Sequence, residues 1–202
     1  APITFRLFPA WSPWNADVSR LPVHPLSDTY LRSMGLDTGL HADFGTVWNG
    51  APNGIPYVVV KQAQRRVPIS FYYGDESDPG PYPIPRDAPI EGGPASDGDR
   101  HVIVLDRGRR LLYEVYDARY DARRRRWRAG SGAVWDLRAN TVRPYGWTSA
   151  DAAGLPILPG LVRFDEVQRG RIAHALRFTV RRTQRAFVYP ATHFASSSTD
   201  AS

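Results

Sequence analysis

The sequence predicts a mainly β protein. The expected fold is an antiparallel β-sandwich or open barrel, jelly-roll-like, with two or three short helices and long Pro/Gly-rich loops. Three observations lead there. Short β-branched and aromatic runs such as YVVVK (57–61), HVIVLD (101–106) and LLYEVYD (111–117) recur along the chain, and such residues favour strands. Eighteen prolines and 17 glycines are distributed over 202 residues, which suits many short strands joined by turns. No long stretch carries the apolar period of an amphipathic helix.

The length suits one domain with a sizeable core. Residues 1–26 are aromatic and proline-rich and read as an extended N-terminal arm packed on the body through Trp11 and Trp14. Residues 27–195 form the single β-rich domain. Residues 196–202 are small and polar and read as a flexible tail.

Ser27 offers an N-cap, with Tyr30, Leu31 and Met34 at helical spacing and Gly35 as a stop, so a two-turn helix is expected there. Strands follow at 57–61 and 67–73, where Pro68 implies an edge position or a strand start. Residues 74–100 make a long loop whose prolines argue for a defined path. It carries Asp75, Glu76, Asp78, Glu91, Asp97 and Asp99, but not the spacing of a calcium loop. The clearest hairpin joins 101–106 to 111–117 around Gly108. Strands are also expected at 132–137, 172–180 and 186–190, with a short helix in VRFDEVQRG. In 172–180, Ile172, His174, Leu176, Phe178 and Val180 share one face, so that segment reads as core, with His174 buried and hydrogen-bonded.

The stretch from Gly146 to His193 holds the densest run of stiff residues, with Pro156, Pro159, Gly154 and Gly160 within seven positions. It reads as scaffold and binding wall.

The net charge of +6 comes almost wholly from arginine, Lys61 being the only lysine. RRRRWR (123–128) is the sharpest charge feature. It reads as a solvated hairpin tip, because no nucleic-acid fold motif accompanies it. There is no cysteine, which removes disulfides, thiolate catalysis and Cys-ligated zinc. No run approaches the roughly 18 apolar residues of a membrane span. The chain begins with Ala1 and not Met, which fits a mature secreted form whose signal peptide has been removed.

The sequence carries no nucleophile elbow, phosphate-binding loop, dinucleotide fingerprint or zinc-protease helix. Acid–base chemistry on a glycan fits best. Hydrolysis needs two carboxylates about 5 to 10 Å apart, and Glu76 with Asp43 or Glu91 is a feasible pair. A lyase would pair a His or Tyr base with an arginine that neutralises a uronate. The candidate catalytic residues are therefore His41, Asp43, Glu76 and His101, around the acidic loop. Trp147 and Arg163 are the candidate substrate-binding residues. No metal and no cofactor are expected.

The blocks LHADFG, GIPYVVV, DESDPGPYPIP, GDRHVIVLD, GSGAVWDL and GWTSADAAGLPILPGLVRFDEV…HALRFTV resemble a family of hypothetical secreted bacterial proteins, from about Trp14 to Ser198. The resemblance implies an extracellular setting and brings no catalytic residues with it. Members of that family continue further with an aromatic-rich segment, so the stop at Ser202 implies truncation or processing.

The expected function is that of a secreted protein acting on or binding extracellular polysaccharide, as a hydrolase or lyase. The alternative is a non-catalytic structural or adhesive protein that self-associates by strand addition. Polysaccharide or another extracellular polymer is the expected partner, and nucleic acid is not.

Overall fold

The computed structural model describes residues 3–45, 47–48 and 50–199. In chain order its elements are α1 (Ser27–Met34), β1 (Val47–Trp48), β2 (Ala51–Pro52), β3 (Tyr57–Val60), β4 (Ile69–Phe71), β5 (Val102–Asp106), β6 (Leu111–Tyr116), β7 (Arg119–Asp121), β8 (Arg126–Ala129), β9 (Ser131–Asp136) and α2 (Phe164–Gln168). Two 3-10 turns lie at Gly74–Glu76 and Leu158–Gly160.

The hairpin most legible in the sequence is the centre of the molecule. β5 and β6 pair antiparallel, from Val102 against Val115 to Asp106 against Leu111. They lie inside a four-stranded sheet of order β3-β5-β6-β9. All five residues of β5 are buried, because both faces of this sheet are covered. On one face Ile103, Leu105, Leu112 and Trp135 meet Ile3, Leu7 and Phe8 of the N-terminal arm, together with Ile157 and Leu158. On the other face Val102, Val104, Tyr113 and Val115 meet Trp127 and Ala129, with Ile69 and Phe71 packed against them. Those last four residues belong to a three-stranded sheet of order β4-β8-β7. Each fully buried aliphatic or aromatic side chain in these clusters contributes roughly 1.5–3 kcal/mol.

The fold is mainly β, but its sheets are mixed rather than wholly antiparallel. β3 runs parallel to β5, and β4 runs parallel to β8. A parallel partner needs a crossover of a dozen or more residues, and the long chain between Val60 and Val102 supplies one. Neither sheet closes into a barrel. Pro68 does precede an edge strand, since β4 ends its sheet.

The long loop 74–100 follows a defined path, burying Tyr82, Ile84 and Ala88 in the core. Arg123–Arg125 form the tip between β7 and β8, while Trp127 turns inward and is 1% exposed. The basic run therefore has no exposed ring of its own on which a base could stack. α1 forms where expected and closes at Gly35, whose φ of 94° suits only glycine readily. Its preceding cap position is Leu26, not Ser27, and none of its residues is buried.

The strands expected at 172–180 and 186–190 do not form. One sheet edge is closed to them. Ser77 Oγ accepts the Gly132 N–H at 3.2 Å, Asp78 Oδ2 accepts the Val134 N–H at 2.7 Å, and Asp78 N–H donates to Gly132 O at 3.0 Å. β9 therefore has its outer edge already paired. Residues 172–180 instead run extended across the surface, held by Ala175 N–H to Trp14 O and Arg177 N–H to Gly160 O. Leu176 and Phe178 are exposed rather than in the core.

No helix of the described residues is long and apolar enough to cross a membrane. Ala1 and the last three residues of the expected tail, 200–202, lie outside the described residues.

Candidate functional site

The loop Arg143–Leu158 is where the functional candidates meet, and three buried ionisable groups fix it. Glu114 sits in the middle of β6 and is 0% exposed. Its carboxylate accepts the N–H groups of Ile157 and Leu158 and the Trp135 indole N–H, at 2.8–3.1 Å. Burial pushes its pKa up to about 7 against the pull of those three donors. Arg143 holds the opposite end of the loop. It pairs with Asp78 and donates to the Glu76 and Thr148 carbonyls at 2.8 and 3.1 Å. Its guanidinium lies between the rings of Trp147 (5.2 Å) and Trp135 (5.9 Å). His101 is the third group, at the entry to β5.

His101 is almost fully enclosed, and each ring nitrogen faces an acceptor. Nδ1 lies 2.6 Å from Glu91 Oε2 and Nε2 lies 3.0 Å from the Ala150 carbonyl. A carbonyl can only accept, so Nε2 carries a proton. The carboxylate calls for a second one on Nδ1. Burial alone would lower the His101 pKa, but the hydrogen bond and charge of Glu91, with the Ala150 carbonyl, raise it. Glu91 moves the other way. Burial would raise it, and the bond to His101, its charge and that of Arg177 hold it below its ordinary value. The pair is thus an imidazolium beside a carboxylate. His101 has no free nitrogen for substrate, whereas Glu91 keeps Oε1 without a hydrogen bond among the described residues.

Glu91 opens on a groove of about 400 Å³. Ala51, Asn53 and Gly54 form one wall, and Glu91, Gly92, Ser96, Gly98 and Asp99 the other. The second wall is shaped from within by Arg100. Its buried guanidinium donates to the carbonyls of Pro94, Ser96 and Ala118 at 2.6–3.3 Å. Gly92 takes φ 69°, and a Cβ there would meet Ser96 Oγ at 2.5 Å. Two carboxylates, Glu91 and Asp99, therefore line a groove with small residues and amide and hydroxyl groups.

Comparison with family models, curated proteins and solved structures gave no match. What the site can do is therefore argued from its own geometry.

Among the residues expected from sequence, His101 lies behind the groove as the partner of Glu91. His41 Nδ1 and Asp43 Oδ1 are 3.0 Å apart, with side chains 68% and 81% exposed. Neither lines the groove. Glu76 meets the same loop as His101 but not the groove lining. Its Oε2 accepts the Thr148 N–H at 3.0 Å, two residues before the Ala150 carbonyl that His101 holds. Trp147 packs on Arg143. Arg163 pairs with Glu166, which also receives the Arg163 backbone N–H and a ring nitrogen of His174. Its guanidinium is thus turned to α2, not to the groove.

Sequence reasoning considered Glu91 as a partner for Glu76 and counted Glu91 and Asp99 among the loop carboxylates that could suit a hard cation, but placed neither among the catalytic candidates. Their placement depends on the loop folding back, so that Glu91 N–H bonds His101 O at 3.0 Å. The one local hint is DGDRH, which puts Asp99 two residues before His101. Among the described residues no three His, Asp or Glu side chains converge to hold a metal ion.

Proposed function

We propose that this protein is an extracellular glycan hydrolase that works in the Glu91–Asp99 groove. The observation that carries the reading is the Glu91–His101 pair, a carboxylate with one oxygen tied to a nearly enclosed imidazolium and beside an open groove. Such a carboxylate stays ionised and oriented, as a general base or nucleophile must. In the inverting form, Glu91 takes a proton from water as its oxygen bonds the anomeric carbon. The glycosidic C–O bond breaks, and the leaving oxygen takes a proton from solvent. His101 acts as a positioning residue.

The test is release of reducing ends from a panel of plant and bacterial polysaccharides. Glu91→Gln removes the base while keeping the shape and should lower the rate by about 10²–10⁴. Glu76→Gln, which perturbs the loop but not the groove lining, should leave most of it. A panel with no cleavage by the wild type, or a fully active Glu91→Gln, ends the proposal.

One observation favours a second reading, a non-catalytic adhesive protein that self-associates by strand addition. Residues 172–180 have the alternation of a strand yet join no sheet. Concentration-dependent sedimentation abolished by Leu176→Asp would support it. A monomer at every concentration would remove it.

A further inference from the structure

Residues 169–199 contain six arginines (169, 171, 177, 181, 182 and 185) and no Asp or Glu. This one-sided charge sits on the surface segment described above, which belongs to no sheet. Arg169 pairs with Asp165 and Arg177 with Asp151, each at 2.8 Å. Arg171 and Arg181 are exposed and meet no carboxylate among the described residues. Arg185 lies over the Phe194 ring at 5.2 Å.

Aromatic rings are exposed in and beside the same segment. Phe178 is 71% exposed and Tyr189 is 65% exposed. Tyr145, 87% exposed, packs against Phe187 at 5.2 Å. The Tyr189 hydroxyl accepts the Asn140 amide at 3.1 Å, which fixes the position of its ring. Arg177 joins this arm to the groove. It pairs with Asp151, next to the Ala150 carbonyl that holds His101, and its charge acts on Glu91.

We propose that the 169–194 arm is the binding ledge for an acidic, uronate-bearing polysaccharide. The arginine forks take the sugar carboxylates, which match their planar geometry, and Tyr189, Phe178 and Tyr145 offer rings to the apolar faces of the sugars. Arg177 marks where the strand passes from the arm toward the Glu91 groove. This rests on the glycan reading above and names its substrate class.

The experiment measures binding of the full chain to polygalacturonate, to its fully methyl-esterified form, to a thymidine 30-mer and to vesicles containing phosphatidylserine. The expected result is binding to polygalacturonate that weakens about tenfold or more on esterification, since each lost carboxylate–arginine contact removes a charge-assisted hydrogen bond. The double variant Arg171→Gln/Arg181→Gln should weaken binding to polygalacturonate about tenfold as well, with an unchanged melting curve. Tyr189→Ala alone should weaken both the acidic and the esterified polymer. Equal affinity for acidic and esterified polymer, no loss in the double variant, or tighter binding to the oligonucleotide or to vesicles would each overturn the assignment. The two proposals fail separately. Cleavage of neutral glycans without acid-polymer binding sinks only the ledge, whereas arm-dependent binding without any cleavage sinks only the hydrolase.

Discussion

The carboxylate of Glu114, in the middle of β6, accepts the backbone N–H of Leu158 at 2.8 Å. This bond, with those from Ile157 and the Trp135 indole, ties the Pro/Gly-rich loop to the central strand. Glu114→Ala leaves three buried donors without an acceptor and opens a cavity. The expected cost is about 3 kcal/mol or more, read from urea unfolding at pH 5. A loss under about 1 kcal/mol would show that the loop holds its place without the carboxylate.

The same group gives a pH dependence of a definite sign. Its pKa rises from 4.5 in the unfolded chain to about 7 in the folded one. The folded state thus binds more protons between those values, and stability falls as pH rises through that window. The contribution is fully present below pH 4.5 and lost above 7. Unfolding free energies of the wild type should fall by up to about 3 kcal/mol over that range, at roughly 1.4 kcal/mol per pKa unit. In Glu114→Gln, which cannot ionise, the decline should be much flatter; an identical slope in both proteins would refute the assignment.

The Glu91–His101 pair has a bounded window. Glu91 is shifted below 4.5, so its contribution is present above that value and is lost as pH falls through its folded pKa. His101 is shifted above 6.5, so its contribution is present below that value and is lost as pH rises through its folded pKa. Both shifts describe one interaction, which is complete between about pH 4.5 and 6.5. His101→Gln should cost most in that interval and progressively less on either side. A stability difference that is flat from pH 3 to 9 would show that the pair is not ionised as described.

Arg143 is a buried cation held by an ion pair, two carbonyls and two indole rings. Arg143→Met removes the ion-pair partner of Asp78, which is part exposed and keeps the Val134 N–H, and leaves the Glu76 and Thr148 carbonyls without this donor, at an expected cost of about 1–3 kcal/mol. Arg143→Lys should recover little of this, because a point charge cannot match the planar fork between two rings. Thermal melts of both variants decide it, and a lysine variant as stable as the wild type would contradict the fork geometry.

Gly132 in β9 lies where the two sheets touch. A Cβ there would stand 2.5 Å from Phe71 Cε1 and Cζ and 3.1 Å from the Tyr82 hydroxyl. Gly132→Ala should therefore destabilise by about 1–3 kcal/mol through overpacking. Gly74→Ala, where a Cβ meets nothing within 4 Å, is the matched control. Equal melting temperatures for the two variants would mean that Phe71 yields without cost.

Local sequence determined what depends on neighbours in the chain. Val102–Asp106 and Leu111–Tyr116 form a hairpin because apolar runs flank a short turn, and Phe164–Gln168 forms a helix turn within its polar segment. Composition ruled out cysteine chemistry, and the prolines of 74–100 foretold an ordered loop. Tertiary structure alone decided the rest. The alternation of residues 172–180 is that of a strand, yet Ser77 and Asp78 occupy the edge of β9 and the segment is held by Trp14 and Gly160 instead. His41, Asp43, Glu76 and His101 are plausible partners by residue type. Tertiary contacts place them instead: Glu76 accepts the Thr148 N–H, His101 is held against Glu91, and the His41–Asp43 pair stays exposed. Those assignments depend on contacts tens of residues apart, because a carboxylate's protonation and direction are set by the donors and the solvent around it, and chain folding alone brings them there.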